Sequence, residues 1–304
     1  MKKIILLFVF ITFNFTSLYA QDVLQPPSIK DMNSVYKKDR NTNKKIQEYT
    51  HLREADVMWS RKIWRDIDLR QKINHPFYYP MNDGNEDAVR TDDRRSLIDV
   101  IYSAVAEGTI TAYDPKDGLD DEFRETISEA EIISRSGAGM EVTTKFDQDL
   151  IAQGVDPELA QYQDTIYNPF DRNIIKKWRL KEEWFFDKQR SVMDVRIIGM
   201  APLKEDRDED NNLTGTFSPL FWVWFPETRK VLIKAEVFNL VKNDAERRTY
   251  DDIFWKRMFS STIFKEANVM DRQIDQYMVG LDALLEAEKI KEELFNFEHD
   301  LWEY

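Results

Sequence analysis

Trp178-Arg-Leu-Lys-Glu-Glu-Trp-Phe-Phe-Asp187 sets Trp178, Leu180, Trp184 and Phe186 against Arg179, Lys181, Glu183 and Asp187. Successive side chains leave an extended backbone on opposite faces, so a period of two marks a strand half-buried in a sheet. Asp187 to Arg190 can turn, and Met193, Val195 and Ile197 resume the alternation. Pro219 to Phe225 is apolar on both faces, and Pro226-Glu-Thr-Arg229 reads as a turn into Val231, Ile233, Ala235 and Val237. Short turns join antiparallel neighbours, so the spacing predicts a meander of about four strands over residues 176–238.

On both sides of this region the period lengthens. Ile46, Tyr49, Leu52, Ala55, Trp59, Ile63 and Ile67 recur at three and four, which predicts an amphipathic helix ending before His75-Pro76. A strand from Trp59 to Leu69 is the alternative reading. A second helix is expected with Thr91 or Asp92 as cap, Leu97, Ile98, Ile101 and Val105 as stripe, and Gly108 as stop. A third is expected over Asp121 to Arg135, broken by Gly137-Ala-Gly139. After the sheet, Asn243 or Asp244 can cap a helix with Tyr250, Phe254, Trp255, Met258, Phe259 and Ile263 on one side. A last helix starts near Val269, with Met270, Ile274, Tyr277, Leu281 and Leu284 in register and Ala287, Ile290 and Leu294 prolonging the pattern. The class is therefore α+β: N-terminal helices, a central antiparallel sheet and C-terminal helices. The expected organisation is a signal peptide at 1–20, an extended arm at 21–45, and a mainly helical part at 46–170. A sheet with one helix follows at 171–267, then a C-terminal helix and acidic tail at 268–304.

The opening residues have the order of an export signal: Lys2 and Lys3, then a run from Ile4 to Phe15 that is apolar apart from Thr12 and Asn14, then Thr16-Ser-Leu-Tyr-Ala20, which puts the small Ala20 at the cut. The run is shorter than the roughly 20 residues a permanent span requires. Cleavage before Gln21 would deliver the chain to the periplasm without direct membrane insertion. The expected mature chain has no cysteine to carry a lipid, a disulfide or a thiol nucleophile. A net charge of −13 argues against nucleic acid as a partner.

Enzymatic patterns are sparse. His51, His75 and His299 do not fall at metal-ligand spacing, and nine glycines include no phosphate-cradling fingerprint. No catalytic, cofactor-binding or metal-binding residue is assigned. Asp206, Asp208, Asp210 and Asn212 alternate as calcium ligands do, but Asn211 stands where the loop needs glycine and Phe217 where it needs a bidentate glutamate. A solvated acidic loop is the expectation. Trp222 and Trp224 could stack on a sugar but more commonly belong to a sheet core or an interface. Among 56 acidic residues a close carboxylate pair arises by chance, which keeps a carbohydrate-binding or two-carboxylate glycoside-cleaving protein as the alternative function.

The richest interface candidate runs from Trp59 to Tyr79. Trp59, Arg61, Trp64, Arg65, Phe77, Tyr78 and Tyr79 combine aromatic rings with guanidinium groups, the mixture enriched at interaction hot spots. Truncating Arg65 is expected to spare the monomer and weaken assembly. The arm at 21–43 and the last helix are further candidates.

The segment Asp56-Val-Met-Trp-Ser-Arg-Lys-Ile-Trp-Arg-Asp-Ile-Asp-Leu-Arg-Gln-Lys-Ile-Asn-His-Pro-Phe-Tyr-Tyr-Pro80 resembles the hallmark of the gliding-motility GldN family, called PorN in non-gliding bacteria. Phe221-Trp-Val-Trp-Phe225 and the stretch from Asp244 to Ser261 fit the same family. The resemblance implies a non-enzymatic periplasmic component of the type IX protein secretion system. It also implies self-association in a ring under the outer membrane, held by a GldK/PorK-like lipoprotein and touching a GldM/PorM-like inner-membrane protein. It implies no cofactor.

Overall fold

The computed structural model describes residues 44–80, 94–116, 120–146, 161–168, 170–207, 212–240, 243 and 246–300. The expected signal peptide and most of the arm lie outside these residues, as do Thr91, Asp92, Asp208, Asp210 and Asp244. In chain order the elements are β1 (Val57–Asp68), α1 (His75–Tyr78), α2 (Leu97–Ala106), β2 (Ala112–Tyr113), α3 (Glu129–Ser136), β3 (Gly139–Phe146) and β4 (Gln161–Asn168). Then come β5 (Ile175–Asp187), β6 (Val192–Arg207), β7 (Leu213–Pro219), β8 (Trp222–Trp224), α4 (Phe225–Leu232), β9 (Glu236–Val237), β10 (Arg248–Thr249), α5 (Tyr250–Trp255), β11 (Thr262–Glu266) and α6 (Leu281–Asp300).

The α+β class holds, and β5 is the strand its alternation predicts. The sheet around it runs β11-β1-β5-β6-β8-β2, with β7 also paired on β6, and every pairing is antiparallel. β3 with β4 and β9 with β10 form separate two-stranded ladders. The main sheet is not a local meander. Its strand β1 comes from the part expected to be helical, and β11 from beyond the meander expected over residues 176–238.

The helical expectation for Ile46 to Ile67 is overturned: residues 44–53 have no regular structure and β1 follows. Ile63 and Ile67 are four apart, which suits a helical face and one face of a strand equally. Pairing decides the case, since β1 lies in register with β5 from Trp59 opposite Phe186 to Asp68 opposite Lys177. The helix expected over Asp121 to Arg135 begins only at Glu129, where Ser128 and Glu131 form a capping box, and it ends as expected at Gly137 with φ of +82°. Ser96 caps α2 by accepting from the Asp99 N–H. The turn and strand expected from Pro226 are instead α4, because proline at the first helical positions has no donor to lose. Thr249, with Asp252, caps α5 in place of Asn243 or Asp244. α6 starts at Leu281, with only a single 3-10 turn at Ile274–Gln276 before it.

Alternation along β1 and β5 divides two faces. On one face the largest apolar cluster joins Ile67, Trp178, Leu180 and Met200 to side chains of α1, α2, α4 and α5. Farther along, Ile63 meets Ile263, Ile274, Ala287, Ile290 and Leu294, with Trp59 and Trp184 against them. Trp64, Ala201 and Trp222 form a third cluster with Tyr113, Phe123 and Phe264.

The β5–β6 turn is organised by Asp187, whose carboxylate accepts from the backbone N–H of Gln189 at 2.9 Å and from Arg190 Nε at 2.7 Å. The Arg190 guanidinium, with these backbone donors, holds the Asp187 carboxyl below the ordinary aspartate range. A depressed folded-state value means the contribution is present above the unfolded pKa of about 3.9 and is lost as pH falls through the depressed value. Asp187→Asn is expected to melt below the parent at neutral pH, with the difference closing in acid. A constant difference across a pH series of melting curves would contradict this.

Candidate interaction surface

The seven residues singled out between Trp59 and Tyr79 occupy different environments. Trp59, Arg61 and Arg65 share the sheet face that α6 covers. Trp59 stacks on Phe297 with ring centroids 4.7 Å apart. Arg61 reaches Glu266 at 3.3 Å and Glu293 at 3.6 Å. Trp64 is buried on the other face, donating its indole N–H to Asp121 Oδ2 at 2.6 Å. Phe77 lies in the main core, and Tyr78 accepts from Lys176 Nζ at 3.1 Å. Tyr79, 47 % exposed, presents the most open ring of the set.

Arg65 requires a correction. Its side chain is buried, and Nε lies 3.3 Å from Glu182 Oε2 as an ion pair without hydrogen-bond alignment. Glu182 is fully buried and also receives Arg257 at 2.9 Å and the Trp184 indole N–H at 3.0 Å. Burial pulls the Arg65 guanidinium down from its ordinary value, against the opposing pull of Glu182. This group joins the main core to the cluster under α6. Arg65 therefore serves the fold, and its truncation is expected to unfold the monomer more easily. Two further buried pairs stitch the chain: Arg179 to Asp66 at 2.8 and 2.9 Å, and Arg229 to Asp251 at 2.6 and 3.1 Å. Bidentate geometry of this kind compensates two buried charges within one local contact.

Residues 44–53, expected as helix from Ile46, are a strap held by side chains. Lys44 pairs with Asp252, and Arg196 donates to the Thr50 carbonyl at 2.6 Å. The Tyr49 ring lies 5.0 Å from Trp255, beneath the guanidinium groups of Arg196 and Arg229. Burial raises the Tyr49 hydroxyl above its ordinary value.

The calcium-like loop is placed in part. Asp206 is half-buried rather than exposed, and its carboxylate accepts from the hydroxyls of Thr216 and Ser218. Among the described residues no group of His, Asp and Glu is arranged to hold a metal ion. Of the aromatic pair in β8, Trp222 is buried and Trp224 is 45 % exposed.

The last helix, a further candidate from the sequence, presents an apolar surface together with the residues that lead into it. Val269, Met270, Val279, Leu281, Leu284 and Leu285 are all exposed, at the approach to α6 and along its first turn. Val269 and Met270 line an open cleft of about 260 Å³ together with Glu266, Asn268, Arg272 and Tyr277. Burial, with the Glu286 and Glu266 carboxylates nearby, raises the Tyr277 hydroxyl. Of the residues expected on one stripe of the last helix, Ala287, Ile290 and Leu294 are buried, whereas Leu281 and Leu284 lie on another side of α6 and are exposed.

No helix among the described residues is long and apolar enough to cross a membrane. Comparison with curated proteins gives no match. The family model described as gliding motility associated protein GldN matches residues 52–303, from just before β1 to past the end of α6. The chain therefore belongs to the GldN family of gliding motility associated proteins.

Proposed function

We propose that this protein is a non-enzymatic structural component of the type IX secretion and gliding machinery, working in the periplasm. On this reading it associates with copies of itself in a ring and takes its hold on the inner face of the outer membrane from a GldK/PorK-like lipoprotein. A GldM/PorM-like protein of the inner membrane is the partner on the other side. The observation that carries the reading is the family match over nearly all the described chain. Ion pairs buried between strands and helices agree with a rigid scaffold, since each restricts a packing arrangement that apolar contacts alone leave open.

The test is fractionation. The protein is expected to sediment with outer membranes and to move to the soluble fraction when the lipoprotein is deleted. Equal solubility in both strains would overturn the reading.

A further inference from the structure

α6 buries one apolar side and exposes large apolar side chains among carboxylates on the other. Ala283, Ala287, Ile290 and Leu294 meet the sheet. On the opposite side Leu281, Leu285, Glu288, Glu292, Phe295 and His299 follow at intervals of four and three, all exposed. Leu281, Leu285 and Phe295 are 70 %, 59 % and 68 % exposed. A helix lying on a protein surface normally turns charge outward. The intervals here are those of a seam that receives another helix, and the exposed Leu284 and Val279 extend it toward the start of α6.

We infer that this outer stripe docks an amphipathic helix of another protein, with Lys or Arg opposite Glu288 and Glu292 and apolar side chains against Leu285 and Phe295. Charge selects the occupant. Along α6, Asp282, Glu286, Glu288, Glu292, Glu293, Glu298 and Asp300 outnumber Lys289 and Lys291. Those lysines already pair with Glu286 at 3.4 Å and Glu288 at 2.8 Å, and Arg61 engages Glu293. Glu292 remains in the seam between Leu285 and Phe295. A second copy of α6 laid along the stripe, in either direction, would set Glu288 and Glu292 against the same carboxylates, and like charges across a seam are destabilising. An anionic lipid surface is repelled for the same reason. A basic amphipathic helix meets both demands, covering the leucines and phenylalanine while neutralising the centre. The inference rests on the scaffold reading only in taking the occupant to be a component of the same assembly.

The test places a photoreactive side chain at position 285 of the full chain in its native cells and sequences the crosslinked peptide. The expected product is a segment of a different protein, with Lys or Arg three or four residues apart between apolar positions. The charge-reversed variant Glu288→Lys/Glu292→Lys is expected to lower the crosslink yield at least tenfold with an unchanged Tm, because both side chains face solvent. Crosslinks to this chain, to a second copy, to lipid or to a segment without basic residues would overturn the inference. So would no crosslink, or an undiminished yield from the reversed variant. Loss of the crosslink with outer-membrane sedimentation intact separates this failure from failure of the scaffold reading.

Discussion

Glu182→Ala is expected to destabilise the protein by about 3–5 kcal/mol, the range for removing one partner of a buried ion pair. For a chain of this size that corresponds to a fall in Tm of roughly 10 °C. The cost lies in what remains. Arg65 stays buried, its guanidinium already depressed by desolvation, and loses the carboxylate 3.3 Å away. Arg257 loses the same partner but is partly exposed and can turn to water. The Trp184 indole N–H is left without an acceptor. Replacing both charges by apolar side chains, Glu182→Leu with Arg65→Met, is expected to recover much of the loss, since no buried charge is then uncompensated. Thermal melting and urea unfolding of the two single variants and the double variant measure the coupling. A Glu182→Ala protein melting within about 2 °C of the parent, less than the shift expected for 1 kcal/mol, would show that the pair contributes nothing.

Phe77→Ala is expected to cost a similar amount, about 3–5 kcal/mol, through the lost transfer free energy of the ring and the cavity it leaves. Phe77 is 2 % exposed, and its ring centroid lies 6.1, 5.3 and 6.4 Å from those of Tyr250, Phe254 and Phe259. Those rings belong to α5 and the residues after it, so the side chain locks the end of the N-terminal segment to a region some 170 residues later, in contacts too long-range to be local propensity. Tyr250 donates to the backbone carbonyls of Pro76 at 3.1 Å and Arg95 at 2.8 Å, fixing the rim of the same site. Burial pushes the Tyr250 hydroxyl far above its ordinary value, so it remains a neutral donor through the accessible pH range. Phe77→Leu fills most of the space and is expected to lose clearly less. Unfolding in urea with unchanged slope and a lower midpoint is the predicted form. If Phe77→Ala melted like the parent yet no longer sedimented with outer membranes, the ring would belong to a partner interface and the core assignment would fail.

Both expectations concern a segment whose composition reads as an interface. Aromatics and arginines interleaved over Trp59 to Tyr79 satisfy the pattern of a hot spot, and the same pattern arises in a strand that is buried on both faces from Ile63 to Ile67 by different neighbours. On one face of β1, Trp59 and Arg61 meet α6 and Arg65 meets Glu182; on the other, Trp64 reaches Asp121 and Asp66 pairs with Arg179. The partners of Arg65 and Asp66 lie more than 110 residues away in sequence. No window of local sequence contains them.

What the sequence determined by itself was whatever rests on local periodicity and capping chemistry. The alternation from Trp178 to Asp187 specified β5, the stripe Leu97, Ile98 and Ile101 specified α2, and Gly137 ended α3, because each follows from backbone geometry within a few residues. Residues 56–80 also carried the family likeness that the match over 52–303 bears out. Tertiary structure alone decided the elements whose local signals were degenerate. Ile63 and Ile67 satisfied two periods until β5 and β11 supplied backbone partners on both sides of β1. Pro226 could open a turn or a helix, and packing of Phe225 and Leu232 into the main core selected the helix. The apolar repeat after Val269 could be phased in more than one way. Burial of Ala287, Ile290 and Leu294 against Ile63 and Ile263 chose one phase, and that choice left Leu281, Leu285 and Phe295 facing outward, because a helix can bury only one side against a single sheet.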